Sequence, residues 1–510
     1  MRHMSEHEFS ERALHAPIVP VYRELIADEL TPVSVYRALS EGQTHSFLLE
    51  SVEHGERWSR YSFIGVCPLG VLSLGDDKVR FTSSDAHLMD VLDLELSGKF
   101  LNQLEAILSN LAGAAHVDLP PLQSGFVGYL GYDVIREVES IGDPLPDSVG
   151  FPDAELVLIG DIACFDHLRQ RLFLVSNVVI PRRASPQALK MLYCNAVERL
   201  EEMEQRVFDI NPSPLVVPTS TKEIKLRNLA MSSSTLEYCL AVEVAKDHIL
   251  DGDIFQVVLS KRFSFDLECD PLTFYRVLRL MNPSPYMYFV EFPEIKIAGS
   301  SPEPLVRVEG QRVISRPIAG TRQRGETEED DKRLAAELIE HPKELAEHIM
   351  LVDLARNDLG RVSRFGSEVI DELMTLERYS RVMHLTSQVS STLRSDVSTI
   401  DVLRATMPAG TVSGAPKVRA MEIINELEPV KRGPYAGVVG YFDLAGNMDV
   451  AIALRTLFIE PNNRAHLQAG AGIVFDSDPL AEDEECNNKA RALLEAATVA
   501  SRGSQQSGKT

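Results

Sequence analysis

The chain has 510 residues, 44% hydrophobic and 25% charged, with a formal net charge of −24. That length supports large buried cores in two or three domains, and the acidity argues against nucleic acid and anionic membranes as partners. The opening MRHMSEHEFSERALHAP lacks a signal peptide's apolar stretch, no later run reaches membrane-spanning length, and Cys67, Cys164, Cys194, Cys239, Cys269 and Cys486 are scattered without C-x-x-C spacing. A cytoplasmic protein with neither a disulfide framework nor a zinc site is expected.

In chain order, the first part alternates strand-like runs (SFLLESVE, AELVLIGDIACF, LFLVSNVVI) with helical ones (LNQLEAILSNLAG, ALKMLYCNAVERLEEMEQRV). INPSPLVVPTSTKE, residues 210–223, breaks all periodicity with three prolines and a Ser/Thr cluster and reads as a linker. Beyond it Ser234 caps a helix that sets Leu236, Leu240 and Val244 on one face. IFQVVLSKRFSF then alternates Phe255, Val257, Leu259, Phe263 and Phe265 with Gln256, Ser260, Arg262 and Ser264, a strand with a polar face. Strands follow in YMYFVEF, KIAGSSPEPLVRV, RVISRPIAG, YAGVVGYFD, DVAIALRTLFIE and AHLQAGAGIVF, with helices at roughly 330–356, 414–427 and 479–499. The order predicts an α+β protein in two units, residues 15–209 and 224–502, joined by 210–223, with helices packed on strand-rich sheets. Residues 503–510, GSQQSGKT, spell a phosphate-binding loop. The spelling needs a strand before it and a helix after it, and LLEAATVASR reads as the end of a helix, so a disordered polar tail is expected.

Two helices carry paired acids: Glu344 and Glu347, beside His348, in KELAEHIMLVDLARNDLG, and Glu482 and Glu485 in DPLAEDEECNNKARALL. Carboxylate oxygens suit Mg2+, but acids also favour a helix's first turn, and 75 acidic residues guarantee stray spacings. Arg455 interrupts the apolar run DVAIALRTLFIE, where a covered guanidinium needs either a substrate carboxylate or a structural acid. Gly470 and Gly472 share one side of a strand, permitting close approach by a ligand or marking a bulge. Thr411, Ser413 and Gly414 precede a helix containing Pro416, a geometry that serves an anion or simple capping. Glu303 and His384 have the chemistry of proton donors or acceptors, and Tyr435 fits either core or site.

Taken together and in order, the words GDIFQVVLSKRF, NPSPYMYF, SSPEPLV, RPIAGTRQRG, EHIMLVDLARNDLGRV, VMHLTSQV, GTVSGAPKVRAMEII, YAGVVGYF, AGAGIVFDSDP and NKARALL closely resemble the chorismate-utilising enzymes over nearly the whole chain, and within them the anthranilate synthase large subunits. The resemblance implies a two-domain fold with an α/β/β/α sandwich-like core. It also implies a reaction in which ammonia replaces the ring hydroxyl of chorismate at the adjacent allylic position and pyruvate is then eliminated. By the same resemblance Glu344, Glu347, Glu482 and Glu485 hold Mg2+. Arg455 and Tyr435 hold the pyruvyl carboxylate, while Gly320, Thr321, Thr411, Gly470, Gly472 and Lys489 surround the ring substituents. Glu303 is the general acid, and His384, Thr321 and Gln256 belong to the catalytic set.

Water-adding relatives carry a Lys where Gln256 stands, and an amide cannot activate water as a base. Aminodeoxychorismate synthases carry a nucleophilic Lys where Ala319 stands, and alanine cannot attack. Both positions favour anthranilate over the rival aminodeoxychorismate. The complete set of acids, with Glu303, His384 and Arg455, stands against a non-catalytic tryptophan sensor. No G-x-C-x-G occurs, so ammonia is expected from a separate glutamine amidotransferase subunit. LLES, RWSRYSFIG and NPSPYMYF resemble a tryptophan feedback pocket formed by Glu50, Ser51, Asn282, Pro285, Tyr286 and Met287.

Overall fold

A computed structural model describes residues 2–51, 60–83, 85–92, 98–210, 224–378 and 382–507, with the side chains of 321, 343 and 503–507 outside the description. Most of the expected linker, 211–223, and Arg57 to Ser59 of RWSRYSFIG therefore lie outside the described residues.

Two antiparallel sheets dominate, and each draws strands from both sides of the linker. In the first, Ser46–Glu50 lies against Tyr286–Glu291, with Glu50 opposite Met287. In the second, Gly125–Leu130 lies against Val438–Asp443, with Gly128 opposite Gly440. The segments 15–209 and 224–502 are thus joined along two hydrogen-bonded seams. Helices Pro186–Phe208, Pro271–Met281 and Pro479–Ser507 pack on the first sheet, and Glu328–Glu340, Pro342–Gly360 and Thr399–Thr406 on the second. The other faces of the sheets meet: the Phe63 and Tyr441 rings stand 6.3 Å apart, and the Tyr286 hydroxyl donates to Asp449 at 2.9 Å. Among the described residues one large apolar cluster and two smaller ones bind helices to sheets and sheet to sheet, in the four-layer α/β/β/α order. Among the described residues no helix is long and apolar enough to cross a membrane.

Several expected elements divide. KIAGSSPEPLVRV forms Lys296–Ser301 in the first sheet and Pro304–Glu309 in the second, so the chain changes sheets at 302–303. DVAIALRTLFIE, expected as one strand, forms Met448–Ile452 in the second sheet and Thr456–Ile459 in the first. Arg455 is therefore not mid-strand; it turns the chain at φ 47°, a left-handed conformation that an apolar pattern does not reveal. The helix expected at 330–356 breaks at His341, because Pro342 has no N–H to continue it.

Ser234 caps its helix as expected, in a reciprocal capping box with Glu237. Leu236, Leu240 and Val244 are its outward face, 71%, 59% and 42% exposed, while Tyr238, Val242 and Ala245 are buried. Apolar residues surround this helix, so periodicity alone does not choose the inner side. The helix Pro479–Ser507 continues through five residues of the phosphate-loop spelling, which is therefore neither loop nor frayed as far as Ser507.

At the second seam a Cβ on Gly128 would stand 2.1 Å from the Glu155 carbonyl oxygen. Gly128→Ala is expected to lower stability by at least about 2 kcal/mol, read from the urea unfolding midpoint, because a strand rather than a flexible side chain must move.

Candidate active site

The two sheet changes lie side by side. Ile452 N–H donates to the Glu303 carbonyl at 3.0 Å, Ser300 N–H to the Arg455 carbonyl at 3.2 Å, and the Ser301 hydroxyl to the Ile452 carbonyl at 2.7 Å. Fixed in this way, Glu303 and Arg455 sit close enough to influence each other's ionisation. Glu303 is only 8% exposed and accepts from the Thr411 hydroxyl at 3.0 Å. Burial pushes its pKa up to about 8, against the opposing pull of Thr411, Lys489 and Arg455. Among the described residues no hydrogen bond or ion pair closes on the Arg455 guanidinium, so the structural acid considered from sequence is not there.

His384, on Val382–Thr392, stands in register opposite Thr321. Burial, then the Arg455 charge, lowers its pKa to about 4, so the imidazole is neutral near pH 7. The Thr321 side chain lies outside the described residues. Gly320 turns at φ 71° in a bulge of Ile318–Gln323, and a Cβ there would meet the Glu344 carboxylate at 3.0 Å. That close approach explains the glycine.

Glu347 accepts from the Gln256 amide at 3.4 Å. Burial raises its pKa, assisted by the like charges of Glu344 and Glu485. Gln256 packs over Gly472, where a Cβ would lie 2.5 Å from its amide nitrogen. Lys489 pairs with Glu485 at 2.7 Å and donates to the Gly470 carbonyl at 3.0 Å. A Cβ on Gly470 would lie 3.1 Å from the buried Tyr435 hydroxyl. Glu482, one turn before Glu485, is buried, and its charge reaches Tyr238.

Among the described residues no three His, Cys, Asp or Glu side chains stand at metal-ligating spacing. Glu344 is held by Arg322 at 2.9 Å and Glu485 by Lys489. The donor set nevertheless suits a hard cation, because three carboxylates are near enough to act on one another and basic groups already offset their charge.

Other expected residues serve the scaffold. His348 turns into the second sheet, its Nε2 2.6 Å from Ser387 Oγ. Ser413 donates to the Ala409 carbonyl, and Gly414 pairs with Val257, so of that trio Thr411 alone reaches Glu303. Sequence reasoning missed Arg322, and it missed the buried pair Glu428 and Arg432, which lies beyond the end of the helix Lys417–Leu427 and so carries no helical spacing signal.

A second cavity, about 330 Å³, lies at the first seam and is lined by Glu50, Ser51, Arg60, Pro285, Tyr286, Met287, Arg307 and Asp449 among others. Glu50 accepts from the Tyr275 hydroxyl at 2.7 Å and Arg279 at 3.1 Å. Ser51 Oγ is buried and has no hydrogen-bond partner among the described residues. Asn282 does not line the cavity; its amide nitrogen donates to Ser300 Oγ at 3.3 Å.

The chorismate binding enzyme family model matches residues 75–495. Anthranilate synthase component 1 of Acetivibrio thermocellus is 43% identical over 481 residues, 94% of this chain and 95% of that protein. The Synechocystis protein of the same description is 43% identical over 504 residues, 96% and 97% of the two chains. In three dimensions the chain is similar to anthranilate synthase component I from Streptococcus pneumoniae, with a TM-score of 0.73 and 35% identity over 92% of this chain and 99% of that one. The menaquinone-specific isochorismate synthase of Escherichia coli shares the fold, with a TM-score of 0.70 at 19% identity over 94% and 95%. The chain belongs to the anthranilate synthase component 1 family of chorismate-binding enzymes.

Proposed function

We propose that the chain converts chorismate and ammonia to anthranilate and pyruvate in the cytoplasm, with Glu303 as the acid that starts the reaction. The observation that carries this reading is a carboxyl with a pKa near 8 beside an Arg455 guanidinium that, among the described residues, closes no ion pair. Arg455 and Tyr435 take the pyruvyl carboxylate; Gly320, Thr321, Gly470, Gly472 and Lys489 surround the ring substituents. Protonated near neutral pH, Glu303 gives its proton to the departing ring hydroxyl as ammonia bonds to the ring carbon at the far end of the conjugated double bonds, which shift toward the carbon that loses the hydroxyl. The amine sheds a proton to complete the substitution, and water leaves. Neutral His384 then accepts the ring proton, the bond between the ring carbon and the side-chain oxygen breaks, and the enolpyruvate released as the ring becomes aromatic takes up a proton on its methylene carbon to become pyruvate.

Glu344, Glu347, Glu482 and Glu485 would hold Mg2+, which when bound supplies positive charge for the substrate's ring carboxylate. Gln256, hydrogen-bonded to Glu347, is no base for water, and buried Ala319 beside Gly320 offers no nucleophile; both support anthranilate as product. Ammonia comes from a separate glutamine amidotransferase subunit. The second cavity takes tryptophan as feedback inhibitor: Glu50 and Asp449 are acids for an ammonium group, and its volume is in the range for small-molecule sites.

The purified chain is expected to form fluorescent anthranilate from chorismate, ammonia and Mg2+, to lose activity with a chelator, and to gain none from glutamine alone. Accumulation of a product that retains the pyruvyl group would overturn the reading. Glu303→Gln should lower kcat by about 10²- to 10⁴-fold. Because its folded pKa lies above the ordinary 4.5, Glu303 binds its proton more tightly in the folded state, and that stabilisation is lost as pH rises through about 8. The melting temperature of Glu303→Gln should therefore gain on the parent as pH rises from about 5 to 8. Ser51→Phe should relieve inhibition in a tryptophan titration while leaving kcat without tryptophan within about twofold, as expected of a substitution that only fills the second cavity.

A further inference from the structure

Glu428 and Arg432 are 5% and 4% exposed and form a two-pronged pair: Arg432 Nε and Nη2 donate to the two Glu428 oxygens at 2.9 and 2.6 Å. The remaining guanidinium bonds go to backbone, from Nη1 to the Val412 carbonyl at 2.7 Å and from Nη2 to the Val258 carbonyl at 2.8 Å. Its face lies 4.8 Å from the Tyr132 ring centroid and 5.6 Å from that of Tyr435. Glu428 in turn accepts from Ser260 N–H at 2.8 Å and Ser260 Oγ at 2.6 Å. An ion pair buried this deeply stabilises a fold no better than apolar groups of the same volume, so its position calls for another reason.

Three of the Arg432 contacts end at or close to a working residue. Val412 follows Thr411, the donor to Glu303; Val258 lies two residues along the strand from Gln256; Tyr435 is itself in contact. We propose that Arg432, locked by Glu428, is a positioning residue that holds the Gly410–Val412 turn, the Gln256 strand and the Tyr435 ring in one register around the Glu303 carboxyl. It does so without touching substrate. Lysine keeps the charge but cannot make four directed bonds from one plane. The inference rests on the roles given above to Glu303 and Thr411.

The test is steady-state kinetics with chorismate and ammonia on Arg432→Lys, Thr411→Val and the double variant, each shown folded by circular dichroism and thermal melting. Arg432→Lys is expected to lower kcat by about 10-fold or more with chorismate KM within about threefold, since small misplacements of reacting groups are costly. The double variant should be no slower than about the worse single variant, because both lose the same alignment. Parent-like kcat per folded molecule, or multiplicative losses in the double variant, would overturn the proposal. If Arg432→Lys does not fold, Glu428→Gln, which frees the fork while keeping its volume, is held to the same two outcomes. Full activity in Glu303→Gln would instead overturn the roles on which the inference rests.

Discussion

At 302–303 and at 453–455 the chain leaves one sheet for the other, and the backbone groups freed by one crossing bond to the other: Ile452 N–H to the Glu303 carbonyl and Ser300 N–H to the Arg455 carbonyl. Buried backbone groups demand such partners, so the two crossings must stand side by side. The Glu303 side chain is buried at this crossing, and this determines its chemistry. Burial raises the Glu303 pKa, and among the described residues Glu303 is the acid whose charge reaches Arg455. The left-handed turn at Arg455 costs about 1–2 kcal/mol, a strain the paired strands on either side hold in place.

The same constraint explains what could be read in the sequence. AELVLIGDIACF and KIAGSSPEPLVRV each read as one run although breakers mark both crossings: Gly160 splits the first into Ala154–Leu158 and Asp161–Asp166, and two prolines flank Glu303 in the second. ALRTLF contains neither Gly nor Pro, so Arg455 looked like an interruption within a strand rather than the turn between two. Pairing across the linker was illegible for another reason: periodicity is local, whereas Glu50 opposite Met287 joins residues far apart in sequence. The site residues were readable mainly as a set. Spacing proposed the acids, the order of long words gave them roles, and geometry brings Glu344, Glu347 and Glu485 within mutual influence while seating His348 and Ser413 in the scaffold.

An acidic protein that acts on an anionic substrate needs local reversal of its field. Arg455, Lys489 and Arg322 provide it from three different elements, and proximity to the acids rather than net charge sets the potential in the cleft. The second cavity belongs to the same framework. Tyr286 bonds Asp449 on the strand that leads into the Arg455 crossing, and Arg307 lies on the strand that begins after Glu303. A ligand at the first seam therefore touches strands that continue directly into the active site.

The central claim is that the crossing keeps Glu303 protonated at neutral pH. Infrared difference spectra between the native protein and Glu303→Gln, recorded across a pH series, measure this directly. The account predicts a protonated-carboxyl band at pH 7 that disappears with a midpoint near 8. A Glu303 carboxylate already ionised at pH 7, with no such band, would contradict it.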